Sequence, residues 1–292
     1  MLGTGAALAD PERGHSSILL TARNQHYLLD IGHGATRQMV RANVDPATVN
    51  HVFISHLHFD HIEDSAYFLI ASWMANRKTR PRIFGPPGTR DFVDHLLENG
   101  AFKLDIAARA RYKQRADTIE MIRPEVQEFG PGLIFDDGLV KVFADYADHI
   151  EAEILHCFGF RVEVLGKSIA FSGDTKPCDT MRRFARDCDL LIHECTFPEE
   201  ALAFRKETQI GTSDHTSPLE LGRLAGEAGA KQVVATHFGH FDTTNPVLKG
   251  YLKSHMPIEL VGPAFMDSVV NDIRRHYSGP LRLAHDLMRI DL

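Results

Sequence analysis

The chain has 292 residues, of which 43% are hydrophobic and 24% charged, an ordinary balance for a globular protein with room for a buried core. A net charge of -7 argues against a general electrostatic grip on nucleic acid or an anionic membrane. No apolar run is long enough to span a bilayer, and no charged-then-apolar leader opens the chain. The cysteines at 157, 178, 188 and 195 have no CxxC spacing, so reduced thiols and a cytoplasmic location are expected.

Short apolar runs alternate with amphipathic ones, the mark of a layered α/β chain. In chain order, strands are predicted at Ser17–Thr21 and Tyr27–Asp30, a helix over Ala35–Ala42, a strand at His51–Ser55, and helices over Ile62–Ala75 and Thr89–Leu97. Trp73 on the first of these two helices reads as core. Between Gly100 and Gly130 the pattern weakens. There Arg109, Arg111, Lys113 and Arg115 fall on alternate positions, either as a solvated face beside a loop or as a basic ridge facing an anion. Strands follow at Val140–Tyr146, Phe158–Val164 and Ser168–Ser172, then a helix over Cys178–Cys188 and a strand at Leu190–His193. A helix over Pro218–Ala228 has Ser217 as N-cap, proline at its first position, Glu220 in its first turn and Gly229 at its end. Strands at Gln232–Thr236 and Ile258–Val261 and a helix over Ala264–His276 complete the pattern. Without an internal repeat or low-complexity linker, one domain over residues 1–292 is expected.

The 17 histidines stand out, because imidazole is the commonest metal ligand. Five apolar strands each run into a metal-competent side chain: His56, His149, Asp174, Glu194 and His237. In open α/β sheets, ligands bind beyond the carboxyl ends of strands, so repeated endings of this kind imply convergence. The densest segment is Ser55-His56-Leu57-His58-Phe59-Asp60-His61. Its four ligand-type side chains cannot share one face of a regular strand or helix, so an irregular turn must aim His56 and His58 one way and Asp60 and His61 another. Two adjacent metal ions would use both pairs; a single zinc or a merely polar loop are the plainer alternatives.

Taken together, His56-x-His58-x-Asp60-His61, a strand-end histidine, Ser172-Gly173-Asp174-Thr175 and Thr236-His237 resemble the metallo-β-lactamase superfamily. Leu2-Gly3-Thr4-Gly5 and Leu29-Asp30-Ile31-Gly32-His33-Gly34 are similar to its opening glycine loop and aspartate strand. Gly85-Pro86-Pro87-Gly88-Thr89, His193-Glu194-Cys195-Thr196 and Ser213-Asp214-His215-Thr216 look like the ribonuclease Z branch with its arylsulfatase and phosphodiesterase relatives. The resemblance implies an αββα sandwich: two mixed sheets face to face, helices outside, and metals at one edge. It implies one metal held by His56, His58 and His149, a second by Asp60, His61 and His237, and Asp174 between them. Zinc accepts this ligand set, with manganese or iron as alternatives. Asp30 would orient the metal loop without binding metal. His33, His240 and the other histidines are left to the surface or to supporting contacts. The third-motif ligand could be His149, twelve residues before Arg161, or His156, five before it; His149 is favoured.

The expected catalytic residues are Asp60, Glu194 and His215, with a metal-bridging hydroxide attacking an anionic ester and His215, oriented by Glu194, protonating the leaving group. Without the resemblance, Glu194 reads equally as a buried carboxylate paired to a cation and His215 as a helix cap. The first functional reading is a phosphodiesterase or arylsulfatase of small anionic esters. Transfer-RNA 3′ processing is the second. Nucleic acid is held unlikely as a partner, because the family's long arm would have to fit into the 24 residues between His149 and Asp174. Lactone or β-lactam hydrolysis and a redox or metal-binding role are the remaining readings. No membrane partner is expected, and a homodimer is allowed.

Overall fold

The computed structural model describes residues 1–97, 99–209, 213–255 and 261–292. Its first half runs β1 (Ile18–Ala22), β2 (Gln25–Leu29), α1 (Ala35–Arg41), β3 (His51–Phe53), α2 (Phe59–Ile62), α3 (Ser65–Met74), β4 (Arg82–Gly85), α4 (Thr89–Leu97), α5 (Lys103–Arg109), α6 (Lys113–Ala116) and β5 (Glu125–Glu128). These strands form one sheet in sequence order; β1 and β2 are antiparallel and the remaining neighbours parallel. The second half runs β6 (Gly132–Asp136), β7 (Val140–Tyr146), β8 (Phe158–Val164), β9 (Lys167–Phe171), α7 (Asp179–Ala185), β10 (Leu190–Glu194), α8 (Glu199–Thr208), α9 (Pro218–Ala228), β11 (Val233–Thr236), α10 (Pro246–His255), α11 (Phe265–Arg274) and β12 (Leu281–Leu283). Its sheet has the order β12-β11-β10-β9-β8-β7-β6, antiparallel from β6 to β9 and parallel from β9 to β12.

The period-two alternation of the strands decides which side chains enter each layer. In β2, Tyr27 and Leu29 enter the layer between the sheets while Leu28 faces outward. Phe53 and Phe84 stack at 4.9 Å, and Phe135 of the second sheet meets both edge-on at 5.3 and 5.4 Å. Outside the first sheet, Leu28, Val52 and Ile83 pack on Met39, Phe68, Leu69 and Trp73. Outside the second, Met181, Leu221, Leu224, Val269 and Ile273 join the core. The result is the expected sandwich of two mixed sheets flanked by helices.

Differences from the predicted elements have local causes. The long helix expected over Ile62–Ala75 starts earlier and breaks at Glu63-Asp64, where the Asp64 carboxylate turns to accept from Thr36 N at 2.6 Å. The weak 100–130 region contains α5, α6 and β5, not only loop. Of the alternating cations there, Arg109 pairs with Asp105 and Arg115 donates to the carbonyls of Trp73 and Met74, while Arg111 and Lys113 are exposed. Alternate positions share a face on a strand, but this segment ends one helix and starts another. Trp73 is fully buried, as expected of core. The strand expected at Ile258–Val261 lies largely outside the described residues, with 258–260 among those not described. No helix among the described residues is long and apolar enough to cross a membrane, and all four cysteines are free.

Candidate metal centre

Strands β2, β3, β7, β9, β10 and β11 finish at one edge of the sandwich and deliver Asp30, Ser55-His56, His149, Asp174, Glu194 and His237 to it. The irregular turn required by the His56–His61 spacing is present: residues 56–58 leave β3 without regular structure, and α2 then carries Asp60 and His61. A side chain at Gly32 would place its Cβ 2.2 Å from the Asp60 carbonyl oxygen, so only glycine lets the aspartate loop pack this close to the turn. Asp30 and His237 both sit at positive φ, 56° each, where non-glycine residues are uncommon.

Three groups of ligand-type side chains result among the described residues, the third being Glu194, His215 and His237, and the first two carry the metal assignment. His56, His58, His149 and Asp174 offer ligand atoms within 4.8 Å of one another, and so do Asp60, His61, His237 and Asp174. Asp174 belongs to both, with Oδ1 3.3 Å from Nε2 of His61 and of His237, and Oδ2 3.9 Å from Nε2 of His56 and of His149. His149 is the third-motif histidine that the fold brings in. His156 lies apart, its ring 6.0 Å from that of Tyr146.

Outer hydrogen bonds assign the tautomers. His149 Nδ1 can only donate to the Asp214 carbonyl, at 2.7 Å. His61 Nδ1 donates to Asp30 Oδ2 at 2.7 Å. The Ser55 hydroxyl donates to Asp30, so it accepts from His56 Nδ1 at 3.0 Å. The Thr196 hydroxyl donates to Glu194, so it accepts from His237 Nδ1 at 2.8 Å. With their Nδ1 nitrogens so engaged, these four imidazoles turn Nε2 inward, where His237 Nε2 lies 3.3 Å from Asp60 Oδ2, a contact that a proton or a cation would satisfy. His56 Nε2 and His149 Nε2 meet His58 Nδ1 at 3.0 and 3.3 Å, and a single His58 proton could satisfy only one of them. His61 Nε2 and Asp174 Oδ1 are buried with no hydrogen-bond partner. Imidazole nitrogens converging on buried carboxylates, with two of these atoms left without a hydrogen-bond partner, fit divalent cations. The charge balance points the same way: burial would lower the His61 pKa, yet Asp174, Asp30 and Asp60 concentrate enough negative charge around it to hold it well above its ordinary value, and a cation at Nε2 would take the place of that proton.

Beside the second cluster, His215 Nδ1 lies 3.0 Å from Glu194 Oε1. Both side chains are buried. Burial alone would lower the His215 pKa and raise that of Glu194; their mutual charge and hydrogen bond outweigh it, raising His215 and lowering Glu194. Glu194 also accepts from Thr175 N at 2.8 Å, which fixes the carboxylate.

These residues open into a cavity of about 470 Å³. Its outer walls are Ala6–Leu8, Phe59, Phe197, Arg205, Tyr251 and Leu252. The Ala6–Leu8 wall is secured by His240, whose Nδ1 meets Asp10 Oδ2 at 2.9 Å and whose Nε2 meets the Ala6 carbonyl at 3.0 Å. His240 is thus a buried support for the site, while His33 is exposed. Sequence reasoning missed Ser55, Thr196, Phe197 and Arg205. Ser55 and Thr196 flank the metal motifs, and that adjacency was the available signal; Arg205 had none.

A family model described as "Anti-Pycsar protein Apyc1" matches residues 1–207. The ribonuclease Z of Mycobacterium marinum (strain ATCC BAA-535 / M) is 33% identical over 242 residues, covering 82% of this chain and 85% of that protein. Among solved structures, the metallo-β-lactamase fold protein YhfI from Bacillus subtilis superposes with a TM-score of 0.70 at 20% identity, covering 98% of this chain and 95% of that one. Human tRNase Z, short form (ELAC1), gives 0.67 at 23% identity, covering 99% and 96%. The expectation that nucleic acid is an unlikely partner finds no support in the relative named ribonuclease Z. Net charge averages over a whole surface and says little about the local field in one cleft.

Proposed function

We propose a phosphodiester-cleaving function from one premise: this chain belongs to the metallo-β-lactamase-fold family that includes ribonuclease Z and the anti-Pycsar protein Apyc1. A metal-dependent hydrolase of ester bonds follows from that membership. The finer reading is a one-domain enzyme with two zinc ions that hydrolyses small anionic phosphodiesters. The observation that carries it is the sharing of Asp174 between two four-residue clusters, next to a buried Glu194–His215 pair.

His56, His58 and His149 would hold one cation, Asp60, His61 and His237 the other, and Asp174 both. Such a pair supplies Lewis acidity and a nucleophile at neutral pH. The protein's own groups do the rest. Asp30, Ser55, Thr196 and the Asp214 carbonyl lock the imidazoles so that no reorganisation is needed. Nδ1 of His215 is engaged by Glu194, so Nε2 is the nitrogen available to a substrate. Kept protonated by Glu194, His215 gives its proton to the departing oxygen.

The relatives' name favours a second reading, ribonuclease Z-type cleavage of precursor transfer RNA at its 3′ side. One panel on zinc-loaded protein tests both: a bis-aryl phosphate, an aryl sulfate, a lactone, a β-lactam and a precursor transfer RNA with a 3′ trailer. The bis-aryl phosphate is expected to turn over fastest of the small esters. Efficient trailer release at low enzyme concentration with negligible diester hydrolysis would replace the first reading by the second. Preference for the lactone or β-lactam would remove both.

A further inference from the structure

Phe197 directly follows the Glu194-Cys195-Thr196 strand end and projects into the cavity, where its ring meets that of His215 edge-on, centroids 5.3 Å apart. From α8, the Arg205 guanidinium lies 4.2 Å from the centre of the Phe197 ring. We propose that Phe197 and Arg205 form the leaving-group subsite, and that the group it takes is a planar aromatic or heteroaromatic ring. The inference rests on the hydrolytic reading above and on the place of His215 in it.

Position supplies the first argument. A group that receives a proton from His215 must lie against that imidazole, whose ring neighbours in the cavity are His149 at 4.9 Å, Phe197 at 5.3 Å and His237 at 6.1 Å; Phe197 is the one of these that lies outside the proposed metal shell. The oxygen that leaves is bonded to the group lying there, so Phe197 meets the leaving group and not the portion retained on phosphorus. Chemistry supplies the second. A guanidinium held over a benzene ring places a cation beside an aromatic surface, and a planar π-system gains from both cation–π attraction and stacking where an alkyl chain gains only contact area. The remaining wall agrees: Leu8, Phe59, Tyr251 and Leu252 are apolar or aromatic. Phe59 and Tyr251 keep 54% and 46% of their surface exposed, an area that a ring entering the cavity would cover. The polar groove on the far side of His215 is a poorer candidate, because Lys176, Arg182 and Lys206 there are interleaved with Asp148, Glu199, Asp214 and Glu220.

Two measurements on zinc-loaded enzyme test the subsite. The first compares kcat/KM for two methyl phosphodiesters whose leaving groups have matched acidity, one a phenoxide and one a fluoroalkoxide. Wild type should prefer the aryl ester by about tenfold or more, the range that base–aromatic stacking commonly supplies. Phe197→Leu and Arg205→Met should each bring the ratio close to one. The second needs no turnover: calorimetric binding of phenylphosphonate against methylphosphonate. Phenylphosphonate should bind about tenfold tighter, again with the margin lost in Phe197→Leu. A preference in binding without diester hydrolysis would uphold the subsite while removing the phosphodiesterase reading. Equal ratios in wild type and variants would overturn the subsite. So would an Arg205→Met enzyme that loses both phosphonates equally, since the arginine would then be gripping the anion.

Discussion

One carboxylate ties the proposed proton donor to the proposed metal shell: Glu194 meets His215 Nδ1 through Oε1 at 3.0 Å and the Thr196 hydroxyl through Oε2 at 2.6 Å, and that hydroxyl accepts from His237 Nδ1. Orientation of the acid and orientation of a metal-facing imidazole are therefore mechanically linked. Substitution at Glu194 should disturb both, whereas substitution at His215 should disturb only the first.

The leaving group separates these roles. A nitrophenolate departs readily without a proton, while an alkoxide needs one in the transition state. His215→Ala should therefore slow an alkyl ester by at least about tenfold more than an activated aryl ester, since general acid catalysis typically contributes about 10²–10⁴-fold. Metal content should stay normal. Equal slowing of both substrates with metal intact would make His215 a binding or structural residue.

The pH profile follows from the same pair. Glu194 holds His215 above its ordinary value of 6.5, so the acid form, and with it turnover of the alkyl ester, is present at low pH and lost as pH rises through the folded pKa. Glu194→Gln removes the stabilising charge, so the falling limb should move to lower pH. A limb that stays in place would assign it to another group.

Metal occupancy tests the bridge. Asp174→Ala should reduce occupancy at both sites, because one carboxylate serves both clusters, whereas His56→Ala and His237→Ala should each weaken mainly one. His149→Ala should lose tight binding at the first site, and His156→Ala should titrate close to wild type. Full metal and full turnover in Asp174→Ala would refute the shared-ligand assignment.

Lys176 braces the loops behind this centre. Its ammonium lies 3.2 Å from both Asp148 Oδ1 and Asp214 Oδ1, and the Asp214 carbonyl fixes His149. Lys176→Met should weaken zinc at the first site by up to about tenfold, the low end for outer-shell partners of a metal, and Lys176→Arg should restore much of it. Unchanged affinity in the methionine variant would reduce the brace to a surface ion pair.

The parts of the fold legible in the sequence were those that carry a strong period or a capping signal. Strands β7 and β8 alternate cleanly, and α9 shows both halves of its capping box, Ser217 Oγ to Glu220 N at 3.2 Å and the Glu220 carboxylate to Ser217 N at 3.1 Å. By contrast, β5 is an edge strand whose residues are mostly exposed, and β12 has three residues, too few to show alternation. The site was legible because its ligands sit at strand ends and in one dense turn. The cavity wall was not: Arg205 comes from a helix with a weak apolar pattern and meets Phe197 only through the tertiary fold.

A two-metal centre is tested most directly by titrating metal-stripped protein with zinc, following heat and bis-aryl phosphodiester hydrolysis together. Two cations sharing Asp174 should give binding that saturates at two equivalents per chain, with hydrolysis rising mainly as the second equivalent binds. Full turnover at one equivalent, or no hydrolysis at two, would contradict it.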